Sequence, residues 1–171
     1  SIDKPVLYTM RSTLLLDRTV IDKDATVFGI REIRFDANNG LFINGESIRI
    51  KGVNMHNDLG CLGSAVSSQA LYRRLKLLKS MGCNGIRACV YPHAPELLEC
   101  CDRMGIIVLN DGLCHVDLDP ANDALHEQEV HDWICRDRNH PSVIMWGLSN
   151  EDEQSIKDKR GPEAYKKRLA W

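Results

Sequence analysis

The sequence lacks the features that mark membrane proteins and nucleic-acid-binding proteins. No run of about 18 apolar residues occurs, so no segment is long enough to be interpreted as a membrane-spanning helix. The 171 residues carry a net charge of −2, and no basic stripe is present that could attract phosphate groups. We therefore expect neither a membrane nor a nucleic acid among its partners.

Metal-binding spacing is also missing. The seven cysteines are an odd number without paired C-x-x-C spacing, which argues against a structural zinc site and against a disulfide framework. The histidines form no pair four residues apart, and His126 and His131 are five apart, on different faces of a helix. We expect no zinc, and we expect most thiols to be buried.

Two architectures follow one another along the chain. Up to about residue 35, short apolar runs alternate with polar turns such as Asp17-Arg18, which predicts antiparallel strands. Turns are predicted at Asn38-Asn39-Gly40 and at Asn44-Gly45, the second within a hairpin. Strands and helices then alternate, with strands predicted at 48–53, 85–88, 106–109 and 143–148, and helices at 69–81, 95–105 and 122–136.

Alternation of this kind predicts an α/β fold in which parallel strands are joined by right-handed helical crossovers. The sheet could be an open doubly wound sheet or a (β/α)8 barrel. No glycine-rich phosphate loop separates a strand from a helix, which weakens the nucleotide-binding version. A complete barrel usually takes about 250 residues and eight units, and only about four units are evident here.

The fourth predicted strand ends beside a carboxylate. Ser149, Asn150 and Glu151 follow the apolar run 143–148 directly. Parallel α/β folds build their sites at the carboxyl ends of their strands. Glu151 is therefore the first catalytic candidate, and the neighbouring Asp152 and Glu153 are interpreted as surface charges.

Several short segments follow one another in an order that is typical of one known family. The segments are Phe28-Gly29-Ile30-Arg31, Leu41-Phe42-Ile43-Asn44-Gly45, Lys51-Gly52-Val53-Asn54-Met55-His56, Met81-Gly82-Cys83-Asn84-Gly85-Ile86-Arg87, Cys101-Asp102-Arg103-Met104-Gly105, Arg136-Asp137-Arg138-Asn139-His140-Pro141 and Asn150-Glu151. Together they resemble glycoside hydrolase family 2, the family of β-galactosidases, β-glucuronidases and β-mannosidases. The resemblance spans nearly the whole chain and is most specific between residues 136 and 151.

The resemblance implies β-sandwich domains followed by a (β/α)8 barrel. Residues 1–35 are expected to be the last strands of an immunoglobulin-like sandwich, and residues 36–171 the first half of the barrel. Half a barrel leaves strand edges unpaired and would leave apolar residues such as Ile86, Val108 and Ile144 open to water. We therefore expect the chain to be a fragment that is completed by the rest of its barrel or by a second copy.

The family's chemistry assigns roles to two adjacent residues. Retaining glycosidases place two carboxyl groups ~5 Å apart, one as acid/base and one as nucleophile. The resemblance puts Glu151 at the general acid/base and Asn150 at the contact with the sugar 2-hydroxyl. The family nucleophile follows strand seven and is absent from this chain. Glu153 cannot replace it, because it would have to reach the opposite face of the sugar.

Other strand ends carry further candidates. Arg87 is expected beside the sugar pocket, although an ion pair inside the barrel is equally compatible with its position. The resemblance places His56 and Asp58 at the pocket rim, and Asp111 where a glutamate is common. Val90 stands where the family usually has histidine, and valine cannot donate a hydrogen bond to a sugar hydroxyl, which argues against efficient catalysis.

Two other features are interpreted as structural. Trp133 and Trp146 are expected in the core rather than as sugar platforms, and the charged turn 136–141 as a loop that fixes the entry of strand four. No cofactor is expected: some family members carry magnesium near the acid/base, but the matching ligands are not identified here.

Two functions remain open. The leading hypothesis is retaining hydrolysis of terminal β-linked sugars, with β-galactosides favoured by the loop 56–65. The alternative is a non-catalytic fragment or decayed homologue that serves as a scaffold or binds sugar. A carbohydrate is the expected small-molecule partner. The start of the chain shows no signal peptide, and cytoplasmic and periplasmic locations both stay open.

Overall fold

The computed structural model describes residues 1–112, 120–148, 150, 162–163 and 166. No helix among these residues combines the length and apolar character needed to cross a membrane. In chain order the elements are β1 (Tyr8–Leu16), β2 (Thr19–Phe28), β3 (Ile33–Asp36), β4 (Gly40–Ile43), β5 (Glu46–Ile48), β6 (Gly52–Met55), α1 (Ser68–Ser80), β7 (Gly85–Ala88), α2 (Pro95–Met104), β8 (Ile107–Asp111), α3 (Asp123–Asp137) and β9 (Val143–Gly147), with short 3-10 helices at Gly60–Leu62 and Pro120–Asn122.

The first two strands form a long antiparallel hairpin. Its turn is Asp17-Arg18, where both residues have positive φ (47° and 66°), as a tight two-residue hairpin requires. The short apolar runs predicted in this region are therefore parts of two continuous strands. Nearly every residue of both strands is exposed, so the hairpin contributes little to the core.

Strands β3, β4 and β5 form a three-stranded antiparallel sheet. Asn44 and Gly45 have φ values of 52° and 79°, which confirms the predicted hairpin turn. Leu41 and Ile43 are buried and pack against Ile107 at the first position of β8. This small sheet therefore covers the amino-terminal end of the sheet that carries the site.

The prediction of one strand at residues 48–53 is wrong, because this segment contains the end of one strand and the start of the next. Strand β5 ends at Ile48 and β6 begins at Gly52. The residues between them are held by a side chain instead of a strand ladder. Asn84 accepts from Lys51 N–H at 2.7 Å and donates to the Arg49 carbonyl at 3.0 Å, so it clamps the chain where it passes from one sheet to the next.

Strands β6 to β9 form the parallel sheet that positions the site. Their spatial order is the same as their order in the chain, and α1, α2 and α3 connect successive strands. This confirms the predicted succession of βα units and the interpretation as part of a barrel. Since all four strands are parallel, their carboxyl ends meet along one edge of the sheet.

The helices form where local signals predict them. Ser67 caps α1 by accepting from Ala70 N–H at 3.3 Å. Pro95 is in the first turn of α2, and Gly105 ends that helix with a left-handed φ of 66°. A side chain at Gly105 would also overlap the Ile2 carbonyl, so the N-terminal segment packs tightly against this turn.

The main core lies between the parallel sheet and its helices. Ile86 and Val108 are buried in it, with exposures of 4% and 0%, so the prediction that they are open to water is wrong, whereas the half-buried Ile144 does line the cavity on the opposite face. Neighbouring side chains on a strand point to opposite faces. The opposite face presents Val53 and Leu109 to a cavity of about 450 Å³. The core consists of Met55, Leu71, Leu75, Ile86, Ala88, Leu97, Leu98, Cys101, Ile106, Val108 and Val143.

The turn between α3 and β9 is a structural loop, as predicted, but the contacts that fix the start of β9 come from other elements. His140 Nδ1 lies 2.6 Å from one carboxylate oxygen of Asp102, and the other oxygen accepts from Ser142 N–H at 2.9 Å. Arg31 donates to the Val143 carbonyl at 2.7 Å. Together these bonds set where strand β9 begins.

Candidate active site

The carboxyl ends of the four parallel strands bring most of the predicted site residues to one edge. Glu151, the predicted acid/base, lies outside the described residues. The described candidates at this edge are His56 and Asp58 after β6, Arg87 within β7, Asp111 at the end of β8 and Asn150 after β9.

Arg87 connects three of these strand ends. Its Nη2 donates to Asn150 Oδ1 at 2.7 Å, and the same nitrogen forms an ion pair with Asp111. The Asp111 side chain is only 2% exposed and that of Arg87 28%. The guanidinium therefore ties Asn150, the residue next to Glu151, to a buried carboxylate at the end of the neighbouring strand β8.

Asp111 keeps one acceptor free. Its Oδ2 pairs with Arg87, whereas its Oδ1 is buried and accepts no hydrogen bond from the described residues. A buried carboxylate oxygen is costly to leave unsatisfied. Such an oxygen at the edge of the site is suited to accept a hydrogen bond from a ligand or from a neighbouring donor.

His56 and Asp58 are positioned by helix α1. Arg74 donates to the His56 carbonyl at 3.2 Å and to the Asp58 carboxylate at 3.3 Å. The Asp58 side chain is 69% exposed, and its described partner is Arg74 rather than Arg87. His56 lies closer to the sheet, with Nε2 3.7 Å from Cys89 Sγ at the end of β7.

Sequence reasoning missed the pair Tyr91 and His93, which follow β7. Their rings stack with centroids 5.2 Å apart and planes 17° apart, and His93 Nε2 donates to the Cys89 carbonyl at 3.1 Å. Burial lowers the pKa of His93, although its bond to Cys89 opposes this. Val90, at the position of the usual family histidine, is half-buried beside them. Two residues with rings directly after a strand of the site are the sequence feature by which this pair could have been identified.

A hydrogen-bond network around the buried Asp137 and Asn110 lies next to this edge. Arg136 donates to both carboxylate oxygens of Asp137, at 2.7 and 2.8 Å, which raises the pKa of Arg136. It also donates to the His93 carbonyl at 2.9 Å. Asn110 donates to Asp137 at 3.0 Å, so the end of α3 is joined to β8 and to the loop after β7.

The two tryptophans are core residues, as predicted. Trp133 is 3% exposed, and Trp146 packs partly buried against the main core. Their rings meet edge to face with centroids 4.9 Å apart. Neither ring is a free platform for a sugar.

Comparison with known proteins assigns the family. The family model for glycosyl hydrolases family 2, TIM barrel domain, matches residues 36–168. The chain belongs to glycoside hydrolase family 2. The matched region contains all four parallel strands and every strand end described above.

Relatives of this family 2 chain include galactosidases and glucuronidases. A β-galactosidase of Bacteroides ovatus is 46% identical over 158 residues, which cover 88% of this chain and 18% of that protein. A β-glucuronidase of Streptococcus agalactiae is 35% identical over 164 residues, covering 85% of the chain and 27% of that protein. The chain therefore spans about a fifth to a quarter of these relatives' length.

Solved family 2 structures share the fold. A β-glycosidase from Bacteroides vulgatus superposes with a TM-score of 0.83 at 41% identity, covering 88% of this chain and 20% of that one. A β-glucuronidase from Bacteroides uniformis superposes with a TM-score of 0.84 at 28% identity, covering 99% and 21%. The arrangement of strands and helices described above is thus that of family 2.

The family resemblance also raises the question of magnesium near the acid/base. Within the described ranges, no three or more histidine, cysteine, aspartate or glutamate side chains are grouped so that they could hold a metal ion. The described donors therefore do not form a magnesium site.

Proposed function

We propose that this chain provides the acid/base side of the active site of a retaining β-glycosidase, with Glu151 as the general acid/base. The observation that carries the proposal is the cluster of Arg87, Asp111 and Asn150 at the carboxyl ends of the strands. Asn150 directly precedes Glu151, so anchoring its side chain restrains the backbone that presents the catalytic carboxyl group. In this proposal residues 1–35 belong to a preceding sandwich domain and residues 36–171 to the barrel.

The orientation of the Asn150 amide supports its assigned role. Its Oδ1 accepts from Arg87, which leaves Nδ2 as a donor. We assign that donor to the sugar 2-hydroxyl, a contact that strengthens as the transition state develops positive charge on the ring. Arg87 is then a positioning residue, because it fixes which end of the amide faces the substrate.

In the proposed reaction, the Glu151 carboxylic acid donates its proton to the leaving glycosidic oxygen. A second carboxylate attacks the anomeric carbon from the opposite face and forms the glycosyl-enzyme. The Glu151 carboxylate then removes a proton from a water molecule while the water oxygen attacks the anomeric carbon. This breaks the bond to the second carboxylate and releases the sugar with its original configuration. We assign the attacking carboxylate to a later strand of the barrel, as the family resemblance implies.

We propose a neutral galactoside rather than a glucuronide as the substrate. A glucuronide carries a carboxylate, and a cation without another anionic partner would bind it best. Among the described residues at this edge, Arg87 is paired with Asp111 and Arg74 with Asp58. The identity of 46% to a β-galactosidase supports the same choice.

The test compares leaving groups. In the full polypeptide that carries these residues, Glu151→Ala should reduce turnover of methyl β-galactoside by about 10²–10⁴-fold, because this leaving group needs a proton. Turnover of 2,4-dinitrophenyl β-galactoside, whose leaving group needs no proton, should fall far less. Added azide should restore rate and yield the β-galactosyl azide. Glu163→Ala, which removes an exposed acid paired with Lys166, is the matched control.

Equal loss with both leaving groups, or a product of inverted configuration, would contradict the assignment of Glu151. Turnover of the matching glucuronide but not of the galactoside would overturn the choice of sugar. Both results are read from the same set of assays.

The second candidate function is sugar binding without catalysis. It is favoured by Val90, which replaces a histidine that normally faces the sugar. This candidate predicts that the wild-type polypeptide binds methyl β-galactoside yet turns over neither the galactoside nor the glucuronide. Measurable turnover that depends on Glu151 would eliminate it.

A further inference from the structure

The exposed face of helix α3 carries a histidine and a cysteine four residues apart. His131 and Cys135 are both exposed, and Cys135 Sγ lies 3.6 Å from His131 Nε2 and 4.0 Å from Nδ1. Residues separated by four positions are neighbours on the surface of a helix. We propose that this pair binds one divalent transition-metal ion of the Zn²⁺ type. The expectation of no zinc considered pairs of histidines and pairs of cysteines, and this mixed pair is neither.

The separation of the two donor atoms suits one shared ion. Zn–S bonds are about 2.3 Å long and Zn–N bonds about 2.0–2.1 Å, so a sulfur and a nitrogen at a tetrahedral angle lie about 3.5 Å apart. The observed separation between Sγ and Nε2 is 3.6 Å. Because both side chains are exposed, the imidazole can turn its Nε2 lone pair toward the ion without displacing the core. Water molecules can occupy the two remaining positions of the tetrahedron.

A neighbouring carboxylate favours the nitrogen that faces the ion. Asp132 Oδ1 lies 3.3 Å from His131 Nδ1 and also accepts from Gln128 Nε2 at 2.7 Å. An acceptor beside Nδ1 favours the tautomer whose proton is on Nδ1, and this tautomer leaves the Nε2 lone pair available. Histidines that bind metals commonly donate their second N–H to a carboxylate in this way. Asp132 is therefore the positioning residue, and His131 and Cys135 are the ligands.

A second cysteine–histidine pair, at the strand ends, is less accessible to an ion. Cys89 Sγ lies 3.7 Å from His56 Nε2, which is a similar distance. Cys89 is only 1% exposed, however, and its thiol also donates to the Met55 carbonyl at 3.7 Å. A thiolate at this position would be a buried charge, which is costly. The ion is therefore expected at α3 and not at Cys89.

An ion at this pair braces the last turn of α3. Cys135 directly precedes Arg136 and Asp137, which join the end of the helix to β8 and to the loop after β7. The helix holds the two donors close together, whereas the unfolded chain does not, so the ion binds the folded state more tightly and stabilises it by mass action. Protons compete with the ion for both donors, so its affinity decreases toward acid pH.

The experiment follows the binding of Co²⁺ to the full polypeptide that carries these residues, after treatment with a chelator. Cobalt bound to a thiolate gives a sulfur-to-metal charge-transfer absorption, which reports on the cysteine directly. The wild type should bind one more Co²⁺ than Cys135→Ser, and it alone of these two should show the corresponding absorption. Zn²⁺ should displace the cobalt, because thiolate and imidazole suit it, whereas Mg²⁺ should not, because it prefers oxygen ligands.

Four variants separate the ligands from their surroundings. Cys135→Ser should abolish the absorption, and His131→Gln should raise the Kd for Co²⁺ by at least about tenfold. Asp132→Asn keeps both ligands, so the absorption should remain while the Kd rises by about tenfold. Cys61→Ser removes an exposed thiol outside α3 and should change neither quantity. Zn²⁺ should raise the Tm of the wild type and of Cys61→Ser, but not that of Cys135→Ser. All four side chains are exposed, so these substitutions leave the core intact.

The proposal is overturned if Co²⁺ gives no charge-transfer absorption with the wild type. It is also overturned if the absorption survives unchanged in Cys135→Ser, since the ion would then be bound by another thiol such as Cys89. Equal numbers of bound ions in the wild type and in Cys135→Ser would have the same consequence. None of these results depends on the proposed function, which the leaving-group assays on Glu151→Ala test separately.

Discussion

Gly147 lies directly opposite Asp111 in the β8–β9 pair, and a Cβ built on Gly147 would stand 2.6 Å from Asp111 Oδ1. A carbon and an oxygen cannot approach so closely without displacing one another. Because Gly147 has no side chain, the buried carboxylate of Asp111 can occupy the space over β9 at this position. In this position the Asp111 carboxylate can form its ion pair with Arg87. Gly147 therefore affects the site although it carries no functional group.

Gly147→Ala should lower the free energy of unfolding by about 1–3 kcal/mol, because the added methyl group displaces the Asp111 carboxylate. Urea denaturation measures the change. In an Asp111→Ser background the methyl group meets a shorter side chain, and the same substitution should cost clearly less. Strictly additive effects of the two substitutions would show that the two positions do not interact.

Asp111→Asn should destabilise the protein by about 2–4 kcal/mol, since it leaves the partly buried Arg87 guanidinium without its anionic partner. Asp58→Asn is the matched control, because it breaks an ion pair with Arg74 whose carboxylate is 69% exposed. That substitution should cost less than about 1 kcal/mol.

Chemical denaturation of the two aspartate variants provides the comparison. Similar costs for both would contradict the view that Asp111 is part of a buried structural ion pair. In the active polypeptide, Asp111→Asn should also reduce kcat, because Arg87 no longer orients Asn150.

The sequence predicts the elements best where local signals define both ends. Strand β7 was predicted at its observed bounds, and α2 lies between Pro95 and Gly105 as expected. Proline at a helix start and glycine at its end act through their own backbone conformations, which need no tertiary contacts. The turn at Asn44-Gly45 was predictable for the same reason.

The errors arise where distant residues decide the result. Ile86 and Arg87 are neighbours on one strand, and the apolar pattern of β7 and β8 does not tell which face receives the helices. The break before β6 depends on Asn84, more than thirty residues further along the chain. The position of the Tyr91 ring depends on a hydrogen bond from Asn57 in another loop, so no local pattern reveals it.

His93 should make the protein less stable as the pH falls. Burial lowers its folded-state pKa below the unfolded value of about 6.5, so the unfolded state binds more protons in the range between the two values. The contribution of His93 is therefore fully present above about pH 6.5 and decreases as the pH falls through the folded-state pKa.

The measurement is the free energy of unfolding of the wild type minus that of His93→Gln, from pH 5 to 8. We expect this difference to decrease toward acid. His131→Gln, which removes an exposed histidine from α3, calibrates the effect of losing a surface histidine. A difference that rises toward acid would contradict the assignment of a buried neutral imidazole.

His140 should show the opposite pH dependence. Its burial opposes the charged form, but the hydrogen bond and charge of Asp102 outweigh burial and raise its pKa above the ordinary value. A raised folded-state pKa means that the stabilisation is fully present below about pH 6.5 and is lost as the pH rises through the folded-state pKa. The advantage of the wild type over His140→Gln should therefore be largest near pH 5.5 and shrink toward pH 8.5. Asp102→Asn should remove this slope, while a slope that persists in Asp102→Asn would assign the titration to another group.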